Sequence, residues 1–460
     1  MGTTETYVTT DTKLKRIAWL SAREPGKQFD CLMHLFTEGS LAACFHELDG
    51  RKAVGVDGIT KAQYGEDLDG HLKDLVSRMK RMAYRPGPVR RVLIPKDGQP
   101  GAKRSLGVGN FEDKLVQRMM HKVLESIYEP LFLDCSYGFR PGRGCHDAVR
   151  ALCQHLYRHE VQAVVDVDVA GYFDSIDHGL LLKILREKIN DARLLRYLVR
   201  LFKAGVMAEG ELRVSDEGVP QGSLCSPVIS NIFAHYVIDT WFEQTVKRHC
   251  AGHVAMFRYG DDVVVCCQFE KDAKRIREAL GKRLARYRLR LNEGKTRLVP
   301  FSRRARQRGE RQGVFDFLGF TFYWGRSRRG AWIPKVKTSG ARLRIKLKRV
   351  AIWARAVRNR RRLPWIWAIF CAKLRGHIQY FGVSFNTAAV NTFVHRATRI
   401  LFRHLNRRSQ RRSFCWERFT LFMQAHPLPR VRIRHSLLSP VSPRKGFCLE
   451  PTALIGHGGF

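Results

Sequence analysis

Two adjacent aspartates, Asp261 and Asp262, stand in the run YGDD at residues 259–262. Apolar segments flank this run on both sides, which predicts a β-hairpin over 253–267 with the two acids at its tip. Neighbouring carboxylates repel each other, and both stay ionised only when cations share them. The pair therefore indicates a metal site. Taken alone, the same run also fits an ordinary type I′ hairpin turn, in which Gly-Asp is common.

A third carboxylate lies about 90 residues upstream, in the segment VVDVDVAGYFD at 164–174. Its alternation places the valines on one face of a predicted strand and Asp166 and Asp168 on the other. Three carboxylates that converge from two strands can bind two divalent cations, which activate a 3′-hydroxyl and stabilise a pyrophosphate leaving group. The two segments together favour metal-dependent nucleotidyl transfer over a structural turn.

The composition indicates a polyanionic partner. The chain has 460 residues, a formal net charge of +40 and 44% hydrophobic residues, which excludes wholesale disorder. Residues 1–300 carry 47 Lys and Arg against 38 Asp and Glu, whereas residues 301–460 carry 35 against 4. This split fits a catalytic module followed by a module that grips nucleic acid. It does not fit a uniformly basic packaging protein.

Several other classes of site are disfavoured. The 12 cysteines include no C-x-x-C pair, which argues against zinc ribbons and thioredoxin-like sites, and we assign no metal to the 17 histidines. The N-terminal segment has no apolar secretory core, and no run of about 18 apolar residues predicts a membrane span. We therefore expect a reduced, cytoplasmic protein with no membrane partner.

The elements that position these acids follow from periodicity and turn residues. Helical patterns cover 12–48, 61–83, 179–205, 271–288 and, with Lys and Arg on the outer faces, 341 to about 423. Strand-like patterns cover 90–109 as a hairpin, 289–301 and 314–322. Asn110 is predicted to cap the helix that follows the first hairpin. Aromatic residues interleave with the basic helices of the last third, and we expect most of them to pack in a core rather than on RNA bases.

Seven motifs follow one another along the chain: RVLIPK…KRSLGVGNFEDKLVQ, SYGFRPGRGCHDAV, DVAGYFDSIDH, GVPQGSLCSPVISNIF, FRYGDDVVV, LNEGKT and FDFLGF. In this order and spacing they resemble the finger and palm motifs of reverse transcriptases, specifically those of group II intron-encoded proteins. LRGHIQYFGV at 374–383 and LNRRSQRRSFCWERF at 405–419 resemble the thumb/maturase region of the same family. The resemblance covers roughly residues 50–435.

The resemblance implies an α+β fold of the right-hand polymerase type, with antiparallel sheet in fingers and palm and an α-helical thumb/maturase domain after them. The implied domains are a helical N-terminal extension at 1–48, reverse transcriptase fingers and palm at 49–325, a thumb/maturase (domain X) RNA-binding region at 326–435 and a C-terminal tail at 436–460. The implied function is an RNA-directed DNA polymerase that copies intron RNA into cDNA and assists group II intron splicing as a maturase. The implied cofactor is a pair of Mg²⁺ ions. The implied partners are intron RNA, an RNA template with a DNA primer, and dNTPs, in a bacterial cytoplasm and with no oligomeric state indicated.

The catalytic residues of that family match four positions here. Asp168, Asp261 and Asp262 match the metal-binding triad, because Asp168 heads the D-x-x-G-[FY]-F-D block. Lys295 in NEGKT matches the lysine proposed to protonate pyrophosphate as a general acid, and an ordinary surface charge is the alternative. Asp166 matches no family position, and we expect it to be a solvated strand carboxylate.

The substrate-binding residues of the family match five further positions. Lys96 and Arg104 on the first hairpin match contacts to the incoming triphosphate, with solvated hairpin charges as the alternative. Phe173 matches the steric gate that collides with a ribose 2′-hydroxyl, and a core phenylalanine is the alternative reading. Gln221 and Gly222 match the part of the site that packs on the nascent base pair, where glycine permits close backbone approach.

The chain departs from the family pattern at three points. YGDD replaces the usual YADD, so Gly260 is expected to loosen the turn, and PQGS replaces the commoner PQGG. The C-x-x-C pairs of the HNH endonuclease found in many relatives are missing, so we expect no such nuclease. Three other functions stay open on the sequence: a splicing-only maturase without polymerase activity, a domesticated group II-like reverse transcriptase, and a viral RNA-dependent RNA polymerase, which the PQG block and Phe173 disfavour.

Overall fold

The structure is a computed structural model that describes residues 3–95, 101, 103–208, 211–213, 216–218, 222–408 and 415–438. Two of the predicted substrate-binding residues, Lys96 and Gln221, lie outside these ranges, as does the predicted tail beyond residue 438.

Helices and strands alternate through the first three quarters of the chain, and helices alone follow. The α-helices in the described ranges are α1 (Thr3–Arg23), α2 (Glu38–Glu47), α3 (Lys61–Tyr64), α4 (Leu68–Lys80), α5 (Phe111–Tyr128), α6 (Cys145–Arg158), α7 (His178–Arg186), α8 (Ala192–Phe202), α9 (Ser226–Ala234), α10 (Glu270–Arg286), α11 (Arg303–Gln307), α12 (Gly340–Val357), α13 (Leu363–Phe381), α14 (Thr387–Leu405) and α15 (Trp416–Ala425). The strands are β1 (Val89–Pro95), β2 (Lys103–Val108), β3 (Ala163–Asp168), β4 (Val206–Ala208), β5 (Glu211–Arg213), β6 (Val254–Tyr259), β7 (Asp262–Cys267), β8 (Arg297–Pro300), β9 (Phe315–Phe317), β10 (Phe320–Arg326) and β11 (Trp332–Thr338).

The central sheet has the strand order β6-β7-β3-β8, with every neighbour antiparallel. Its two middle strands are valine-rich and buried on both faces, which is why they read as near-continuous apolar runs. On one face Val165 and Val265 pack into the core that contains the N-terminal helices, α5 and α10. On the other face Val164 and Val264 pack into a core with α6 and β9–β11. The sheet is therefore held rigidly between two hydrophobic layers.

Two smaller sheets flank this one. The first has the order β2-β1-β4-β5, and its β1–β2 hairpin confirms the hairpin predicted over 90–109. The second has the order β11-β10-β9, of which β11 was not predicted. The predicted strand over 289–301 shrinks to β8, because the backbone N–H of both Lys295 and Thr296 donates to the carbonyl of Asn292 and folds that stretch into a turn.

Three helix predictions and one cap prediction need correction. The pattern over 12–48 is interrupted, because α1 ends at Arg23 and α2 begins at Glu38, and the pattern over 61–83 is two helices, α3 and α4. The single helix predicted over 179–205 is two helices, because the Asp191 carboxylate accepts hydrogen bonds from the backbone N–H of Arg193 and Leu194 and starts α8 anew. Asn110 does occupy the position before α5, but its Oδ1 makes no cap bond to the helix. It accepts instead from the backbone N–H of Val56, 3.0 Å away, and so ties a distant loop to the helix start.

The C-terminal helices α12–α15 pack around a third core that contains Trp367, Phe370 and Phe419. This burial confirms core packing for many of the aromatic residues in the basic third. Trp365 and Trp416 are exceptions, because they are 42% and 41% exposed. The predicted α+β architecture, with sheets first and a helical region after them, is confirmed.

Phe381 joins the helical region to the sheets, and its truncation tests that junction. Its side chain is 2% exposed and its ring lies 5.2 Å from the ring of Phe320 on β10. We expect Phe381→Ala to lower the free energy of unfolding by about 3–5 kcal/mol through cavity formation, measured by urea denaturation. Leu421→Ala is the control, since that side chain is 63% exposed and its loss should change stability by less than about 0.5 kcal/mol. Equal effects of the two substitutions would show that Phe381 does not link the layers.

Candidate active site

The three predicted metal ligands meet at one end of the central sheet. Asp168 is the last residue of β3 and Asp262 the first of β7, and the register of the two strands pairs them directly. Asp261 precedes Asp262 in the turn that joins β6 to β7. Residues directly opposite each other on antiparallel strands have Cβ atoms about 4.5–5.5 Å apart, a spacing that a bridging cation can span. The sheet register therefore places the three carboxyl groups at the same end of the sheet.

The turn itself differs from the type I′ alternative considered for it. Gly260 has a φ of +64°, whereas Asp261 is not among the residues with positive φ, and a type I′ turn needs both. A Cβ atom at Gly260 would also lie 3.1 Å from the Phe139 ring. Gly260 does not loosen the turn as expected, because a left-handed conformation and a close neighbour both require glycine there.

The electrostatics of the acids fit a cation site. Loss of surrounding water, and then the charges of Asp261 and Asp168, raise the pKa of Asp262 to about 6. Loss of water also raises the pKa of Asp261, against the opposing charge of Arg104. Lys295 Nζ lies 3.5 Å from Asp168 Oδ2. Crowded carboxylates with raised pKa values release their protons readily to a divalent ion, and oxygen donors of this kind suit hard cations such as Mg²⁺.

Asp166 has a structural partner of its own. Its side chain is 20% exposed and lies 2.7 Å from the guanidinium of Arg297 on β8. The expectation of a solvated strand carboxylate was therefore wrong, because pairing of β3 with β8 brings this cation onto it. Burial raises the pKa of Asp166, and Arg297 lowers it in part.

The other predicted residues in the described ranges lie around the triad. Arg104 is exposed on β2 and acts electrostatically on Asp261 across the cleft. Gly222 has a φ of +107°, and a Cβ atom there would lie 2.5 Å from the carbonyl oxygen of Gly107, so the loop packs tightly on the first hairpin. Phe173 is partly buried, with its ring centroid 6.5 Å from that of Phe139. The structure thus brings Arg104 and Lys295 to the acids.

Arg258, two residues before Gly260, is a residue that the sequence analysis missed. Its side chain and that of Asp239 are both 0% exposed. Nε and Nη2 donate to the two Asp239 carboxylate oxygens at 2.7 and 2.6 Å. Nη2 also donates to Ser136 Oγ, and Nη1 donates to Asn231 Oδ1 and, at 3.1 Å, to the carbonyl oxygen of Gly260. Every N–H of the guanidinium group therefore has an acceptor, and one of these hydrogen bonds holds the turn between β6 and β7. An arginine in an otherwise apolar strand was the available signal.

Phe139, in the FRPGRG loop, was missed as well. It is 47% exposed and has a φ of +57°, a strained conformation for a residue other than glycine. Its ring lies 6.2 Å from that of Tyr259 and faces Phe173. The neighbouring Gly138 approaches so closely that a Cβ atom there would lie 2.5 Å from the Gly260 nitrogen. This loop covers the catalytic turn from one side.

Comparison with known proteins agrees with this geometry. A family model described as reverse transcriptase (RNA-dependent DNA polymerase) matches residues 94–322. Protein YkfC of Escherichia coli (strain K12) is 32% identical over 350 residues, which are 69% of this chain and 89% of YkfC. The group II intron-encoded protein LtrA of Lactococcus lactis subsp. cremoris is 34% identical over 191 residues, 42% of this chain and 31% of LtrA. This chain belongs to the group II intron-encoded reverse transcriptases.

A further relative is named for an intron. An uncharacterized 91 kDa protein in the cob intron of Schizosaccharomyces pombe is 38% identical over 182 residues, 39% of this chain and 22% of that protein. Membership confirms the predicted family and the class of RNA-directed DNA polymerase. Reverse transcriptases generally use divalent metal ions. Among the described residues, no helix has the length and apolarity needed to cross a membrane.

Removal of the charge on Asp239 tests the support beneath the turn. Asp239→Asn leaves the buried Arg258 guanidinium without a counter-charge, and we expect it to lower the free energy of unfolding by about 3–5 kcal/mol in urea titrations. Glu243→Gln is a matched control four residues later, because Glu243 pairs with Lys247 at an exposed position. That change should cost less than about 1 kcal/mol. Comparable losses would show that the buried pair has no special role.

The raised pKa of Asp262 predicts a pH effect on metal binding. Its folded-state pKa of about 6 lies above the ordinary aspartate value of 3.8, so the metal-free fold holds an extra proton between these values and loses stability as the pH rises through them. Titration calorimetry with Mg²⁺ in buffers of different ionisation enthalpy should show proton release near pH 6 and none near pH 8. Asp262→Asn should abolish the release. Equal proton release at both pH values would contradict the raised pKa.

Proposed function

We propose that the chain synthesises DNA on an RNA template, with Asp168, Asp261 and Asp262 as the ligands of two Mg²⁺ ions. The observation that carries this proposal is the direct pairing of Asp168 with Asp262 beside the Gly260–Asp261 turn. Two bound Mg²⁺ ions would supply activation of the primer 3′-hydroxyl and charge stabilisation on the triphosphate. The three carboxylates orient the reacting groups and are themselves held by the sheet.

Basic side chains around the triad are assigned to the phosphates of the incoming nucleotide. Arg104 reaches the cleft from β2, and we assign it, together with Lys96, to the incoming triphosphate, where a guanidinium offers bidentate hydrogen bonds. Lys295 lies 3.5 Å from Asp168, so its ammonium stands beside the metal ligands, where it can donate a proton to departing pyrophosphate. In the protein without substrate, this lysine neutralises part of the acid cluster.

The selection of dNTPs is assigned to Phe173. Its ring follows β3 by five residues and packs edge-on against Tyr172 and Phe139. Because these neighbours hold the ring in place, it can exclude a ribose 2′-hydroxyl by steric contact. Gln221 and Gly222 are assigned to the nascent base pair, and the tight approach of Gly222 to Gly107 supports the second of them.

The helical region is assigned to the binding of intron RNA as a maturase. Residues 301–460 carry 35 Lys and Arg against 4 Asp and Glu, a bias that phosphate contacts would relieve. Exposed Trp365 and Trp416 offer rings for stacking on unpaired bases. We keep the four predicted domains but propose that the thumb/maturase helices begin at α12, since β10 and β11 pair across the boundary at 325/326. The bacterial cytoplasm is the proposed location.

Asp261→Ala separates catalysis from RNA binding. We expect the rate of primer extension on an RNA template with Mg²⁺ and dNTPs to fall by more than about 100-fold. Loss of a residue that only hydrogen-bonds to a metal ligand already lowers metal affinity or activity about 10–100-fold, and Asp261 is itself a proposed ligand. RNA affinity, measured by filter binding, should stay unchanged because the basic helices are untouched. Glu270→Ala, an exposed acid on α10, is the control and should leave both quantities unchanged.

The same assay distinguishes the competing functions. If the wild-type chain extends no primer yet promotes splicing of a group II intron, it is a splicing-only maturase. A preference for rNTPs over dNTPs would indicate an RNA polymerase instead. A large loss of RNA binding in Asp261→Ala would contradict the division into catalytic and binding regions.

A further inference from the structure

Three histidines from two distant segments meet at the edge of the central sheet. His155 lies in the last turn of α6, His159 directly follows that helix, and His253 directly precedes β6. One ring nitrogen of each lies within 4.8 Å of the others. The ring centroids are 4.5 to 5.2 Å apart. No histidine was predicted from the sequence to bind a metal, although His155 and His159 stand four residues apart.

We propose that His155, His159 and His253 form a site for one divalent transition metal ion of the Zn²⁺ type. Three imidazole nitrogens are the ligand set of many zinc sites, with water in the remaining position. Neutral nitrogen donors select Zn²⁺ over the Mg²⁺ that the carboxylates prefer. The ligand set thus differs in chemistry from the triad of acids, and the inference does not rest on the proposed polymerase function.

Two observations besides the convergence support a ligand. Nε2 of His155 is buried and has no hydrogen-bond partner, a state that a metal ion or its water would relieve. The cluster also lies at the carboxyl end of α6, where the helix dipole favours a positive charge. Burial lowers the pKa of His155 to about 3, and that of His253 is lowered as well, so both donate as neutral rings at neutral pH. Binding then needs no proton release from them.

The three histidines differ in how firmly their rings are held. His155 packs edge-on against Phe257, 5.5 Å away, and is the least exposed of the three. His253 is fixed through its backbone, which exchanges hydrogen bonds with Gln268, while its ring and that of His159 are exposed. Zinc–nitrogen bonds are about 2.0–2.1 Å long and lie in the plane of the imidazole ring. Because the three rings are stacked, with interplanar angles of 19 to 25°, the exposed rings of His159 and His253 would rotate to direct their nitrogens at one ion.

The position suggests what such an ion does. It would clamp the end of α6, the helix that follows the FRPGRG loop, to the start of β6, the strand that leads to the catalytic turn. β6 spans six residues at about 3.3 Å each, so the site lies roughly 20 Å from the catalytic carboxylates. It would stiffen the outer edge of the sheet without touching the reacting groups.

Metal analysis of the tag-free full chain tests the proposal. The protein is stripped with EDTA, incubated with ZnCl₂ in excess MgCl₂ to occupy the oxygen sites, desalted and measured by mass spectrometry. We expect one Zn²⁺ per wild-type chain and its loss in His159→Ala/His253→Ala, in which both altered side chains are exposed and folding is checked by circular dichroism. His395→Ala, an exposed histidine on α14, should retain the ion.

Cobalt substitution identifies the ligands. Co²⁺ bound by the cluster should give visible d–d bands without a thiolate charge-transfer band, and the bands should vanish in the double variant. A thermal shift on Zn²⁺ addition in wild type, absent from the double variant, would support the clamp. If wild type and the double variant retain equal Zn²⁺, the three rings are only a stack of neutral imidazoles and the proposal is wrong.

Discussion

The guanidinium group of Arg258 is wholly removed from water, so it needs a counter-charge and an acceptor for every N–H. These partners lie directly beneath the turn between β6 and β7. Asp239 supplies the charge from a π-helical segment, His235–Asp239, that continues α9. Ser136 and Asn231 supply further acceptors, and the carbonyl of Gly260 supplies the last. A buried pair of this kind adds little net stability, yet neither partner can move without leaving a charge unpaired. It therefore fixes where the turn lies.

Everything at the active site depends on that position. The register of β3 and β7 places Asp168 opposite Asp262, and the turn places Asp261 beside them. Loss of water and, after it, the charges of neighbouring carboxylates raise the pKa values of Asp261 and Asp262, and bound cations would relieve this repulsion. Sheet packing on both faces and the Arg258 network hold the acids together against this repulsion. A rigid scaffold of this kind is what a metal-dependent polymerase needs to keep its ligands in place between substrates.

The strands whose apolar pattern is contained in a short segment were predicted from the sequence. Alternation in VVDVDV and the apolar runs around YGDD predicted β3, β6 and β7, and the motifs predicted which acids converge. The missed features depend on contacts between distant segments. The side-chain partners of Arg258 lie 19 to 122 residues away in sequence, and His253 lies far from His155 along the chain. The helix start at Asp191 does have a local signal in the sequence, an N-cap aspartate. It was missed because the apolar periodicity continues on both sides of it.

A crystal structure of the protein with an RNA template, a DNA primer and Mn²⁺, in which anomalous scattering locates the ions, tests the metal site directly. We expect anomalous peaks between Asp168 and the Asp261–Asp262 pair, with the Gly260 carbonyl still bound to Arg258. Mn²⁺ bound elsewhere, or a turn detached from Arg258 while the primer is in place, would contradict it.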